Sequence, residues 1–452
     1  FLYFVQEKGW LDSRTDYLKF HLDSTLASRR NFHRRVLHPL FFGTLNLPTE
    51  RRSKKTHLGT IPYLNGGLFE PHPVERRIGP VHFPNHIWRD VFDELFERFR
   101  FTVREDDEVD AIAPDMLGRV FERLMNSEDR HDTGTFYTPE PVVRQIVTAT
   151  IETALSNDLP RRAVRKLVVG EPVAGREGKK ATRALQRLKV LDPAVGSGAF
   201  LLGVLDVLST MRGALRPGMS AAARLQLRKE ILRDNLMGVD LSPVAVRLAE
   251  LRLWLAVVAD DPTSDIASVS PLPNLDGVVR QGDTLLDPLG AARSFSTNTT
   301  FASSEAAESV RKARLGLFDA RGREHHSGAK ALRRSENRVA AHLLESAFDS
   351  AEQATRDITE LARGLDLFGK RVGISASQRR RLRSLMRLRR ELEKAQRQLE
   401  EGALPFFSFE VHTPDILARG GFDVVVGNPP WVRAEHLDKR MRRALRERFS
   451  WW

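Results

Sequence analysis

The pattern that most constrains this chain runs from about residue 134 to 290, where short apolar runs alternate with amphipathic helical stretches. Val190-Leu191 is followed by a helical stretch at 199–212, Leu236 to Val239 by another at 244–258, and Val278-Val279 comes next. Alternation of this kind points to a parallel sheet, because parallel strands need a crossover long enough to carry a helix. The signal returns once, far downstream. Phe422-Asp423-Val424-Val425-Val426 reads as a buried strand leading into Gly427-Asn428-Pro429-Pro430-Trp431. The expected fold is α/β, a doubly wound sheet with a long insertion.

Four stretches follow from the same pass. Residues 1–130 read as a helical N-terminal region, with Val91, Phe92, Leu95, Phe96, Phe99 and then Met116, Leu117, Val120, Phe121, Leu124 at helical spacing. Within it Tyr63-Leu64-Asn65-Gly66-Gly67-Leu68-Phe69 reads as a turn. Residues 131–290 carry the alternating pattern. Residues 291–400 break it: a Ser/Thr/Ala-rich start reads as a solvated linker, followed by a helix around 336–365, a turn at 369–377 and a very basic helix. In that last helix Leu385, Leu388, Leu392, Ala395 and Leu399 fall at heptad spacing, which predicts an antiparallel helical hairpin. Residues 401–452 hold the last strand and one charged helix.

With 452 residues and 41% hydrophobic content the chain can bury a core spanning several structural units. Its formal charge of +12 favours a polyanionic partner, although an Arg-rich proteome would account for the charge as well. The absence of cysteine excludes disulfide frameworks and thiolate metal sites. No stretch approaches the ~20 apolar residues of a membrane helix, so a soluble, cytoplasmic protein is expected. The chain starts without Met and stops at Trp451-Trp452 in a helical-looking segment, which reads as a fragment. Such a fragment, lacking the strands expected after the Asn-Pro-Pro-Trp turn, is expected to be inactive alone.

Four segments carry chemistry. Val190-Leu191-Asp192-Pro193-Ala194-Val195-Gly196-Ser197-Gly198-Ala199-Phe200 is a strand, a Gly-rich turn and a helix start, where backbone can approach a ligand closely and free N–H groups face it. A structural turn explains a lone Gly-x-Gly equally well. A third glycine would fall at Leu201 and no phosphate-binding Lys follows, which argues against a dinucleotide or nucleoside triphosphate. Asp240, at the tip of the second strand, is placed to hold ribose hydroxyls, its plainer reading being a cap for the helix after Ser242-Pro243. Asp283 ends the third strand and could accept from an adenine amino group.

Asn428-Pro429-Pro430-Trp431 is the sharpest signal. Two prolines explain a rigid turn, but not the flanking Asn and Trp. The Asn428 amide oxygen and the Pro429 carbonyl could accept both hydrogens of a planar amino group, while Trp431 stacks on an unstacked base; neither a metal nor a shifted general base is required. Upstream, Thr138 as N-cap with Pro139 at the first helical position explains part of Phe136-Tyr137-Thr138-Pro139, though not its aromatics.

In this order the motifs resemble the gamma-order adenine-specific DNA methyltransferases, more narrowly the large fused restriction-modification (type IIG-like) enzymes and related phage-defence methyltransferases. The Leu64 to Glu70 and Leu117 to Glu122 segments recur in that family, so the resemblance covers nearly the whole chain. It implies a class I, Rossmann-like methyltransferase sheet, incomplete at its C-terminal end. It implies S-adenosylmethionine as cofactor, with Phe136 and Thr138 against its adenosine and methionine parts. Asp192, Ala194 and Gly196 would line the methionine end, Asp240 would bind the ribose and Asp283 the adenine, with Gly198 and Leu241 also at the cofactor. Asn428, Pro429, Pro430 and Trp431 would hold a flipped-out adenine of double-stranded DNA. Val195 stands where the family usually has Cys, and Trp431 where Tyr is commonest; both keep size or aromaticity. A nuclease, if the parent is a restriction enzyme, is expected upstream, since residues 1–130 hold no convincing constellation for one. Two other readings stay open: an RNA or protein-glutamine methyltransferase, and a non-catalytic basic nucleic-acid-binding protein.

Overall fold

A computed structural model describes residues 1–53, 57–64, 83–101, 138–293, 302–364, 373–432 and 439–449, together with residues 67, 69, 75, 77, 79, 111, 112, 116, 295, 435 and 437. Two two-residue strands, β1 (Arg100–Phe101) and β2 (Ala111–Ile112), pair in parallel beside the main body. The main sheet has four parallel strands: β3 (Val190–Asp192), β4 (Leu236–Asp240), β5 (Val279–Gln281) and β6 (Val424–Val425), in the order β5-β4-β3-β6. The expected doubly wound α/β sheet is therefore the one that forms. Chain order reverses at β3, which pairs with β4 on one side and β6 on the other. In open α/β sheets such a reversal leaves a crevice at the carboxyl ends of the strands, where ligands bind.

The sheet is fixed by what lies on it. Ala199–Ala214 follows β3 and Pro243–Asp260 follows β4; they bury Leu201, Val204, Leu205 and Leu208, and Val246, Leu253 and Trp254. The opposite face meets a segment whose covering role the sequence pattern did not signal. Phe407 packs with Leu191, Met237 and Val239 in a small apolar cluster, and a Cβ on Gly282 would lie 2.1 Å from that of Phe407. Gly282 is thus glycine because an aromatic side chain crosses its backbone. Val425 breaks the expectation of a fully buried last strand: it is exposed, because β6 pairs on one side only among the described residues.

The insertion is larger than a hairpin. Residues expected to form a solvated linker contain the helix Ser304–Asp319, capped by the Ser303 side chain on the Ala306 amide, and the next helix begins at Arg323 and runs to Arg363. The basic helix Ala376–Glu400 packs back on it through Leu385, Leu388, Leu392 and Ala395. Composition misled here because Ala and Ser serve a helix whose buried stripe needs only Ala307, Val310, Leu317 and Phe318. In the N-terminal region Phe92 is buried while Leu95 and Phe99 are exposed, and Leu117, Val120, Phe121 and Leu124 lie outside the described residues. That region is tied to the sheet domain by the Trp10 indole donating to the Thr263 carbonyl (2.9 Å) and the Leu272 amide donating to the Leu64 carbonyl (2.7 Å). No helix among the described residues is long and apolar enough to cross a membrane.

Candidate functional site

The carboxyl ends of β3, β4, β5 and β6 carry Asp192, Asp240, the Gly282-Asp283 turn and Gly427-Asn428. Asp192 is 1% exposed; its Oδ1 accepts from the Ala194 amide at 3.2 Å, while its Oδ2 has no hydrogen-bond partner among the described residues. Burial pushes this carboxyl up to about 7, with the Asp240 carboxylate adding to the push and the Ala194 amide opposing it. The backbone of Gly427 presses on the same group, since a Cβ there would sit 2.5 Å from Asp192 Oδ1.

The Gly-rich turn after β3 needs both of its glycines. Gly196 has φ +50° with open space where a side chain would be, and Gly198 has φ +86° with the helix Pro243–Asp260 packed against it at Ala249. The first feature leaves room for a ligand; the second fixes the helix start. Val195 is buried and lies over Gly238. Ala194 is half-buried at the turn.

Asp240 does more at home than a ribose-binding acid would need to. Its Oδ2 accepts from the Gly196 amide (2.8 Å) and its Oδ1 from the Ser242 amide (2.9 Å). Ser242, not Asp240, is the N-cap of the following helix. Asp283 Oδ1 closes its own turn on the amides of Leu285 and Leu286 (2.9 and 3.0 Å), and Thr284 donates to the Pro193 carbonyl at 3.2 Å. The loops after β3 and β5 are thereby joined. Leu241 and Leu285 are both exposed beside these acids, an apolar pair on an otherwise polar rim.

Thr138 corrects the sequence expectation. Pro139, not Thr138, is the N-cap of the helix Glu140–Leu155, and no side chain caps it. The Thr138 hydroxyl instead accepts from Asn428 Nδ2 at 3.2 Å, across 290 residues of sequence. That contact orients the amide of Asn428. Its oxygen accepts from the Trp431 indole N–H at 3.1 Å, and Trp431 is 75% exposed, with Pro429 and Pro430 also exposed. Phe136 and Tyr137 lie outside the described residues.

The structure thus gathers Thr138, Asp192, Gly196, Asp240, Asp283 and Asn428 at one sheet edge. A cleft of about 1360 Å³ reaches the neighbourhood at Thr138, Ala199 and Arg252 but is lined by none of the strand-end acids, so cavity size does not locate the site. Sequence reading missed three contributors. Thr284 and Phe407 gave only weak signals, a hydroxyl in a turn and an aromatic cluster. Arg252 gave a better one, a cation inside the apolar 244–258 helix.

Two family models match the chain: that described as N-6 DNA Methylase over residues 112–289, and that described as Eco57I restriction-modification methylase over residues 234–451. A protein of Methanocaldococcus jannaschii assigned as a type II restriction enzyme and methyltransferase is 30% identical over 321 residues, covering 63% of this chain and 26% of that one. The adenine-specific methyltransferase PglX of Streptomyces coelicolor is 36% identical over 74 residues, 16% of this chain and 6% of its own. The chain therefore spans about a quarter or less of the length of these curated relatives. Among solved structures, the type IIL restriction-modification enzyme MmeI in complex with DNA aligns over 76% of this chain and 44% of its own, at 18% identity and a TM-score of 0.43. Together the two family models match residues 112–451 of the chain, overlapping over residues 234–289.

Proposed function

We propose that the chain is the methyl-transferring part of an adenine-specific DNA methyltransferase of a restriction-modification or phage-defence system, using S-adenosylmethionine and acting on an adenine flipped out of double-stranded DNA. The observation that carries this reading is the hydrogen bond between Thr138 and Asn428, which joins the Thr-Pro segment and the Asn-Pro-Pro-Trp turn where chain order reverses.

The residues at the sheet edge suit that cofactor. The buried, unsatisfied Asp192 Oδ2 is a ready acceptor for an ammonium group, the open side of Gly196 admits a chain running past it, and Leu241 and Leu285 offer apolar surface to a purine. When bound, S-adenosylmethionine supplies a methyl group activated by a sulfonium. Asn428 Oδ1 and the Pro429 carbonyl accept the two hydrogens of the adenine amino group, so its lone pair turns from the ring towards the methyl. Donor and acceptor groups fixed before reaction lower the barrier because they need no reorganisation. Trp431 stacks on the extruded base. In the base-free arrangement its indole donates to Asn428 Oδ1, so entry of the base exchanges one donor for another on that oxygen.

The test is transfer of labelled methyl to duplex DNA by the complete protein. Asn428→Ala should lower the rate by about a hundredfold or more with cofactor affinity kept within a few-fold. Asp240→Ala should chiefly weaken cofactor binding. Full methylation by the Asn428 variant would overturn the assignment.

A further inference from the structure

The turn that carries the glycines of the site receives two hydrogen bonds from a buried guanidinium that the motifs do not include. Arg252 lies on the helix Pro243–Asp260 and is 3% exposed. Its Nη1 donates to both the carbonyl and the hydroxyl of Ser197, at 3.0 and 3.1 Å. Ser197 sits between Gly196 and Gly198, both at positive φ, and is itself buried. One turn earlier on the same helix, Ala249 packs on Gly198; at the helix start, Asp240 grips the Ser242 amide with one oxygen and the Gly196 amide with the other. These contacts close a ring: turn, strand-end acid, helix N-terminus, Arg252 and back to the turn.

We propose that Arg252 is a positioning residue that holds the Gly-rich turn in its cofactor-receiving shape, acting through Ser197 and touching neither cofactor nor substrate. Gly196 and Gly198 reach left-handed conformations without strain but have many others open to them, so the turn's own backbone does not fix its shape. Without a donor, a buried carbonyl and hydroxyl would be left unsatisfied, and the turn would relax to hydrate them. Both bonds leave one nitrogen, Nη1, whose N–H groups lie in the fixed plane of the guanidinium, whereas those of an ammonium turn freely at the end of a flexible stem.

The proposal rests on the methyltransferase reading for its consequence, not for its geometry, and the experiment separates the two. Hydrogen exchange is measured over residues 193–200 of the ligand-free chain for the wild type, Arg252→Met, Arg252→Lys and Ser197→Ala, alongside calorimetric titration with S-adenosylhomocysteine. In Arg252→Met, exchange should rise at Val195, Gly196 and Gly198 but not in β4 or β5, and binding should weaken by on the order of 10- to 100-fold. Arg252→Lys should recover part of both. Ser197→Ala, which removes one of the two bonds, should raise exchange in the turn alone, and it serves as the deciding variant if Arg252→Met does not fold. Unchanged exchange in the turn, or an equal rise throughout the helix and β4, would overturn the positioning role. Failure of the complete wild-type protein to bind S-adenosylhomocysteine would sink the methyltransferase reading while the exchange measurements still judged the clamp.

Discussion

At the scale of single residues, Asp192 is the most informative titrating group. An acid whose folded pKa lies above its unfolded one destabilises the fold when ionised. The penalty is absent below the ordinary value of 3.8, grows as pH rises, and is complete above about 7. Asp192 is therefore a cost at neutral pH unless a cation offsets it, and an ammonium at its unsatisfied Oδ2 would do so. Binding of S-adenosylmethionine should accordingly release a proton below pH 7, and affinity should fall by up to about tenfold per pH unit on acidification. Calorimetry in buffers of different ionisation enthalpy reads the proton directly. Asp192→Asn should remove this pH dependence, weaken binding and raise the melting temperature at alkaline pH; affinity that is flat from about pH 5.5 to 7.5 would remove Asp192 from the ammonium site. His412 shows the opposite case: burial, with Arg280 nearby, lowers it to about 3, so it stays neutral as it stacks on Phe407.

At the scale of elements, the basic helix Ala376–Glu400 divides its arginines between two jobs. Leu385, Leu388, Leu392 and Ala395 face the long helix Arg323–Arg363, and the Arg389 guanidinium lies 5.1 Å from the Phe348 ring, a structural contact. Arg379, Arg380, Arg381, Arg383 and Arg390 are exposed. Between this helix and Lys439–Arg448 lies a cleft of about 820 Å³ lined by Arg387, Lys394, Lys439 and Arg443 and also by Glu391, Asp283 and Asp287, so its charge is mixed where it reaches the loop after β5. If the exposed arginines follow DNA phosphates, replacing Arg380, Arg383 and Arg390 by Gln should flatten the salt dependence of DNA binding by about three units of slope and leave base preference unchanged. An unchanged slope in a filter-binding or anisotropy titration would return the helix to a packing role.

At the scale of the whole molecule, the described residues form two large apolar cores. One joins the N-terminal region to the sheet and its helices; the other lies within the inserted helices. Polar contacts join them: Arg280 to Glu336 at 2.5 Å and Asn274 Nδ2 to the Leu317 and Ala320 carbonyls at 2.7 Å each, while Arg314 ties the inserted helix Ser304–Asp319 to Asp415, ahead of β6, at 2.7 Å. Several of these partners are buried, so breaking one side leaves an uncompensated charge, which costs more than losing an exposed pair. No Trp lies between residues 291 and 400, so indole fluorescence follows the chain outside the insertion, with Trp10 and Trp254 buried in the first core, while far-ultraviolet circular dichroism also follows the inserted helices. The two thermal transitions should coincide in the wild type and separate in Arg280→Met/Arg314→Met, the insertion melting first. Transitions already apart in the wild type would show that these ties do not couple the cores.

Periodicity and punctuation in the sequence determined the parallel sheet, the strand ends that carry Asp192, Asp240, Asp283 and Asn428, and the leucine seam of the basic helix. These are local properties: a period of two or of 3.6 reports which face of an element is apolar, and a glycine reports a turn. Tertiary structure alone decided what the polar atoms at those strand ends do. Thr138 read as a helix cap and became the partner of Asn428; Asp240 read as a ribose-binding acid or a helix cap and holds two amides; Gly282 carried no signal of its own and lies beneath Phe407. Each partner arrives from another part of the chain, and a hydrogen-bond donor chooses among acceptors that only the completed packing brings within 3 Å or so.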